Sequence, residues 1–84
     1  MTPEELKAIE VAKTVDARGV ACPGPLLAAK QGIAEVPMDG VMEVISSDEG
    51  TNKDIPRWCN KLKHDYLGNI EEDGYWRLFL RRKK

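Results

Sequence analysis

The residues best equipped for chemistry in this 84-residue chain stand together at Cys22-Pro23-Gly24-Pro25, immediately before an apolar helical pattern. A proline disfavours helical backbone in the residue before it, and its fixed φ suits the first helical position, so Cys22 is expected to cap a helix. A helix start carries unsatisfied N–H groups and a partial positive charge. With prolines at two early positions, the N–H groups of Gly24 and Leu26 are the expected donors near the sulfur. A free thiol titrates near ~8.5, and helix N-terminal sites lower this by roughly one to several units. The motif therefore predicts a thiolate, the form that attacks sulfur. Four residues upstream, Arg18 is a candidate for thiolate tuning or partner docking, with a solvated loop charge as the plainer reading. Asp16 is expected to fix the loop by accepting backbone N–H bonds, and so to position Cys22 indirectly.

The second cysteine, Cys59, lies 37 positions further on, in register with Ile55 and Leu62 on an apolar helical stripe. Core packing is the expected role, because free cysteine is among the most often buried side chains. The alternative is a resolving thiol for Cys22, which needs the two Cα atoms within about 7 Å. A metal site of Cys59 and His64 is discounted, since five helical steps turn the second side chain about 140° away from the first. No metal and no organic cofactor is expected. His64, the lone histidine, is expected to finish a helix and bond its last carbonyls rather than serve as an acid. Trp58 and Trp76 are expected to be core or rim aromatics.

Composition sets the frame for these groups. The chain is 42% hydrophobic and 32% charged, which excludes a disordered segment and fits one small domain with a modest core. No apolar run approaches the ~20 residues that span a bilayer, and Met1-Thr2-Pro3-Glu4-Glu5 has no secretory pattern, so a cytoplasmic location is expected. Two widely spaced cysteines predict reduced thiols rather than a disulfide scaffold. The net charge is −1, yet Arg77, Arg81, Arg82, Lys83 and Lys84 crowd the last eight residues. Such a tail is expected to be solvated, and nucleic-acid binding ranks low because basic and aromatic residues are not interleaved.

The elements that must position Cys22 follow from pattern. Thr2-Pro3-Glu4-Glu5 reads as a cap, a first-position proline and a capping-box acid, predicting a short helix from 3 to about 11. Lys13–Ala17 reads as a strand, and Arg18-Gly19 opens the loop to Cys22. Leu26, Ala29, Ile33 and Val36 recur at helical spacing until Pro37. After an Asp39-Gly40 turn, Val41–Ser46 reads as a mostly buried strand. Asp54 is the preferred cap of the next helix, since Pro56 counted from Thr51 sits too deep; its apolar face is Ile55, Cys59, Leu62 and Tyr66, with Trp58 alongside. Gly68–Glu72 and Tyr75–Leu80 flank Asp73-Gly74, a hairpin signal. The order is βαβαββ, an α/β two-layer sandwich with a mixed four-stranded sheet covered on one face by two helices.

Taken together, Asp16-x-x-Gly19-x-x-Cys22-Pro23-x-Pro25, then Asp48, then Asp54-Ile55-Pro56 and His64 resemble the TusA/SirA-like sulfur-carrier family over residues 13 to 82. The resemblance implies the same βαβαββ sandwich. It implies that Cys22 carries sulfane sulfur as a persulfide, with Asp16, Gly19, Pro23, Gly24 and Pro25 supporting the motif. It also implies a sulfurtransferase whose turnover depends on partners: a donor such as a cysteine desulfurase or a rhodanese, and an acceptor such as a DsrE-like protein or a thiolation enzyme. Residues 1–12 fall outside the match as an N-terminal extension, leaving 13–84 as a single domain. Lys63 stands where the family usually places glycine, and Cys59 at a position often not cysteine. A monomer that docks transiently is expected. The alternative function is a noncatalytic redox-sensing or regulatory module using both thiols.

Overall fold

The computed structural model describes residues 2–21 and 24–84. Its elements are α1 (Pro3–Lys7), β1 (Lys13–Ala17), α2 (Gly24–Gly32) with a 3-10 turn at Ile33–Glu35, β2 (Val41–Ser46), α3 (Thr51–Leu62), β3 (Asp65–Glu72) and β4 (Tyr75–Arg81). The sheet order is β1-β2-β4-β3. β1 runs parallel to β2, while β4 lies antiparallel between β2 and β3, so the closing hairpin inserts its second strand against β2. The expected α/β sandwich with a mixed four-stranded sheet is present.

Side-chain alternation along the strands builds two apolar layers. Met42 and Val44 of β2 and Leu78 and Leu80 of β4 face α2 and α3, where they pack with Ala29, Ile55, Trp58 and Cys59. Val41, Phe79 and Ile70 face the other way and pack with Leu6 of α1, joined by Ile9, Val11 and Leu67. Both faces of β2 are therefore covered, which is why its sequence reads as an almost unbroken apolar run. Glu43 is the exception inside that run: it is buried, pairs with Arg77 of β4 and accepts a hydrogen bond from Thr14 at 3.1 Å. Its charge is met by partners on both neighbouring strands.

Four local expectations are corrected. The first helix stops at Lys7 instead of about 11; Thr2 and Glu5 form the capping box as expected, but Ile9 and Val11 pack as irregular chain. α3 begins at Thr51, not at an Asp54 cap, and Pro56 lies inside it. Backbone carbonyls of Asp48, Glu49 and Gly50 accept the first N–H groups, so no side-chain cap is required there. Tyr66 lies on β3 rather than α3, because a left-handed Lys63 (φ 62°) ends the helix first; Leu62, the last residue of α3, is exposed rather than on its apolar face. The basic C-terminal segment is solvated only in part: Lys83 and Lys84 are exposed as expected, but Arg82 donates to the Val36 carbonyl at 2.7 Å, and Lys83 pairs on the surface with Asp39 at 2.9 Å. No helix of the described residues is long and apolar enough to cross a membrane.

Candidate functional site

The parallel register sets Ala17 beside Ser46, so β1 and β2 release their next residues at the same end of the sheet. One strand runs into Arg18–Ala21 and the other into Ser47–Gly50. The two loops flank an open cleft of about 430 Å³ lined by Gly19, Val20, Ala21, Ser47, Asp48 and Glu49. Cys22 follows this loop directly in sequence; Cys22 and Pro23 lie outside the described residues, so the expected cap and thiolate geometry do too.

Asp16 and Arg18 behave as one unit. The Asp16 carboxylate accepts the Arg18 backbone N–H at 3.1 Å and both Nε and Nη2 of its guanidinium, at 3.0 and 2.8 Å. Those bonds, the side-chain ones first, hold the Asp16 carboxyl below the usual carboxylate range. The guanidinium lies over the Tyr75 ring, 5.2 Å from its centroid, and so joins the loop to β4. Gly19 takes φ +80°, a conformation glycine adopts without strain, and donates its N–H to Ser47 Oγ at 2.9 Å. Val20 N–H returns to the Ala17 carbonyl at 3.2 Å.

On the far side, Pro25 is fully buried at the start of α2. A Cβ at Gly24 would stand 2.1 Å from Cγ1 of the exposed Val20, so any side chain there displaces Val20. The Gly24 N–H donates to the Ala21 carbonyl at 2.8 Å. That bond withdraws it from the donor pair expected near the sulfur.

Cys59 is 0% exposed within the core, and burial, with a smaller contribution from Asp65, pushes its thiol up to about 12. His64 is also buried; its backbone N–H bonds the Cys59 carbonyl at 2.9 Å, as a helix-finishing residue should, but its ring accepts the Lys83 N–H instead of touching helix carbonyls. Trp58 belongs to the core, and Trp76 packs against it. Among the described residues no group of three His, Cys, Asp or Glu side chains comes together as a metal holder.

Sequence reasoning missed Ser47 and Tyr75, which hold the loop from two other elements. It also missed the buried Ser46 and Thr51 hydroxyls, 2.8 Å apart, which with the Asp48 N–H bond to Ser46 Oγ at 3.1 Å shape the β2–α3 loop. The available signal was the polar Ser46-Ser47-Asp48 run directly after an apolar strand.

Fold and loop cluster define a class of small two-layer α/β proteins in which a pinned loop after the first strand leads into a Cys-Pro-x-Pro segment. The family model for Sulfurtransferase TusA matches residues 13–82, and the chain belongs to that family of sulfur carriers. A protein of Archaeoglobus fulgidus is 43% identical over 70 residues, covering 83% of this chain and 96% of the relative. The sulfur carrier protein TusA of Pseudomonas entomophila is 39% identical over 70 residues, covering 83% and 88%. The crystal structure of a SirA-like protein from Desulfitobacterium hafniense superposes with a TM-score of 0.74 over 86% of this chain and 99% of that one; at 23% identity it supports the fold. The family match begins at Lys13, so α1 and its cover of the second sheet face lie outside it.

Proposed function

We propose that this chain carries sulfane sulfur as a persulfide on Cys22, between a donor of cysteine-desulfurase or rhodanese type and an acceptor such as a DsrE-like protein or a thiolation enzyme. The observation that carries this reading is the state of the other thiol. Cys59 is 0% exposed in the core, and that burial pushes its thiol up to about 12, so it stays protonated at neutral pH. Burial denies it access to a partner as well. A carrier that uses cysteine is left with Cys22, the position of the family's Cys-Pro-x-Pro motif.

The transfer is an exchange at sulfur. The Cys22 thiolate attacks the terminal sulfur of a donor persulfide, R–S–SH; a new S–S bond forms as the old one breaks, and the donor cysteine leaves as a thiolate. The proton stays on the transferred sulfur, and no external oxidant or reductant is consumed. Attack by an acceptor thiolate on that terminal sulfur reverses the roles and releases Cys22 as the thiolate. Asp16, Arg18, Gly19, Gly24 and Pro25 serve by holding the segments on either side of Cys22, so that little reorganisation accompanies docking. The redox-module alternative needs an accessible Cys59, which its burial disfavours.

Intact-mass measurement after incubation with a persulfide donor tests the reading. The parent is expected to gain one dithiothreitol-labile sulfur atom and Cys22→Ser none. Equal gain by the variant overturns it.

A further inference from the structure

Residues 18–21 are held mostly by short-range bonds: Arg18 N–H to Asp16, Val20 N–H to the Ala17 carbonyl, and Gly24 N–H to the Ala21 carbonyl. Such bonds keep the loop's internal shape, but they leave its placement against the rest of the molecule open. Among the described residues, two contacts from distant elements bear on that placement. One is the face of Tyr75 under the Arg18 guanidinium. The other is Ser47 Oγ, 28 residues away, the one distant hydrogen-bond partner of the loop among the described residues.

Ser47 is well built for this. Its neighbour Ser46 is fully buried and is tied to Thr51 in the first turn of α3, so the backbone that carries Ser47 is anchored in the core. Gly19 lies past the last paired residue of β1, where no strand partner remains for its N–H. Gly19 and Ser47 are both exposed, so without the serine hydroxyl that N–H turns to solvent and this bond between the loop and the β2–α3 side of the cleft is lost.

We infer that Ser47 is a positioning residue for Cys22: by holding Gly19 from the β2–α3 loop, it fixes the segment that leads into Cys22. The inference rests on Cys22 as the carrier residue. A thiol's titration depends on its placement relative to nearby charges and donors, so loosening the loop ahead of Cys22 moves that titration as well as the rate of sulfur acceptance.

The test uses full-length parent, Ser47→Ala, Ser47→Thr and Cys22→Ser, with iodoacetamide as the alkylating probe and glutathione persulfide as the sulfur donor. Ser47→Ala is expected to raise the pH midpoint of Cys22 alkylation by about half a unit, which is about threefold less thiolate at a pH below that midpoint. It is expected to slow sulfur acceptance by a similar factor, with thermal unfolding little changed. Ser47→Thr, which keeps the hydroxyl, is expected to restore both. A parental midpoint and acceptance rate in Ser47→Ala overturn the positioning role, as does a threonine variant that behaves like alanine. Sulfur gain by Cys22→Ser instead overturns the carrier reading itself, so the two failures are distinguishable.

Discussion

The ring Nδ1 of His64 accepts the backbone N–H of Lys83 across 3.1 Å, joining the α3–β3 connection to the chain's basic C-terminal segment. An accepting Nδ1 must be unprotonated. Burial first, then the charges of Arg82 and Lys84, lower the His64 pKa from its usual value. The folded state thus binds this proton less readily than the unfolded chain. The stability from this site is fully present above about pH 6.5 and is lost as pH falls through the lower, folded pKa. Asp16 and Asp39, whose pKa values are also lowered, titrate below this window. Urea unfolding at pH 7.5 and pH 5 is expected to show a loss in the parent that His64→Gln largely lacks; an identical loss in both contradicts the assignment.

Lys63 occupies the left-handed region at φ 62°, ψ 33° to end α3. That conformation costs a side-chain-bearing residue about 1–2 kcal/mol. Glycine removes the strain but brings back about 0.5–1 kcal/mol of chain entropy. Lys63→Gly is therefore expected to stabilise the fold by up to about 1 kcal/mol, read as a rise of a few degrees in Tm. A fall in Tm contradicts this.

Leu6 is 1% exposed although α1 is only five residues long. Leu6→Ala is expected to cost about 2–3 kcal/mol, at the lower end for a buried leucine because a short terminal helix relaxes easily. Hydrogen exchange should then show protection lost over residues 3–11 and retained in β2 and β4. Uniform loss across the sheet contradicts a locally docked helix.

Gly24 and Val20 share one space, with 2.1 Å between an added Cβ and Val20 Cγ1. Gly24→Ala is expected to displace Val20, which is exposed, so that global stability changes little while sulfur acceptance falls. Val20→Ala should recover much of the loss in the double variant, with a coupling of about 1 kcal/mol. Additive effects contradict the shared space.

Sequence by itself determined the elements whose signals are local. The capping box at Thr2 and Glu5, the β-branched run Val41–Ser46 and the turn at Asp73-Gly74 each specify their backbone through neighbours a few residues away. The Cys-Pro-x-Pro pattern and its spacing to Asp16 and Gly19 likewise sufficed for the family. The Asp54 cap, the longer first helix and the run of the third to Tyr66 were misread for a related reason. A helix end depends on which carbonyls the folded chain brings near its first N–H groups and on whether a residue such as Lys63 accepts a left-handed turn, and neither is written in side-chain periodicity.

Tertiary structure alone decided what meets across the sheet. Strand order β1-β2-β4-β3 places Tyr75 under Arg18 and Arg77 beside Glu43, and the parallel β1–β2 register brings Ser47 to Gly19. It also buries Cys59 fully, which turns one of two chemically equivalent thiols into core packing. Contacts between segments tens of residues apart arise only when apolar burial on both faces fixes strand pairing. The Cys-Pro-x-Pro pattern and the family it marks were therefore legible in the chain, whereas the supports around it required the fold.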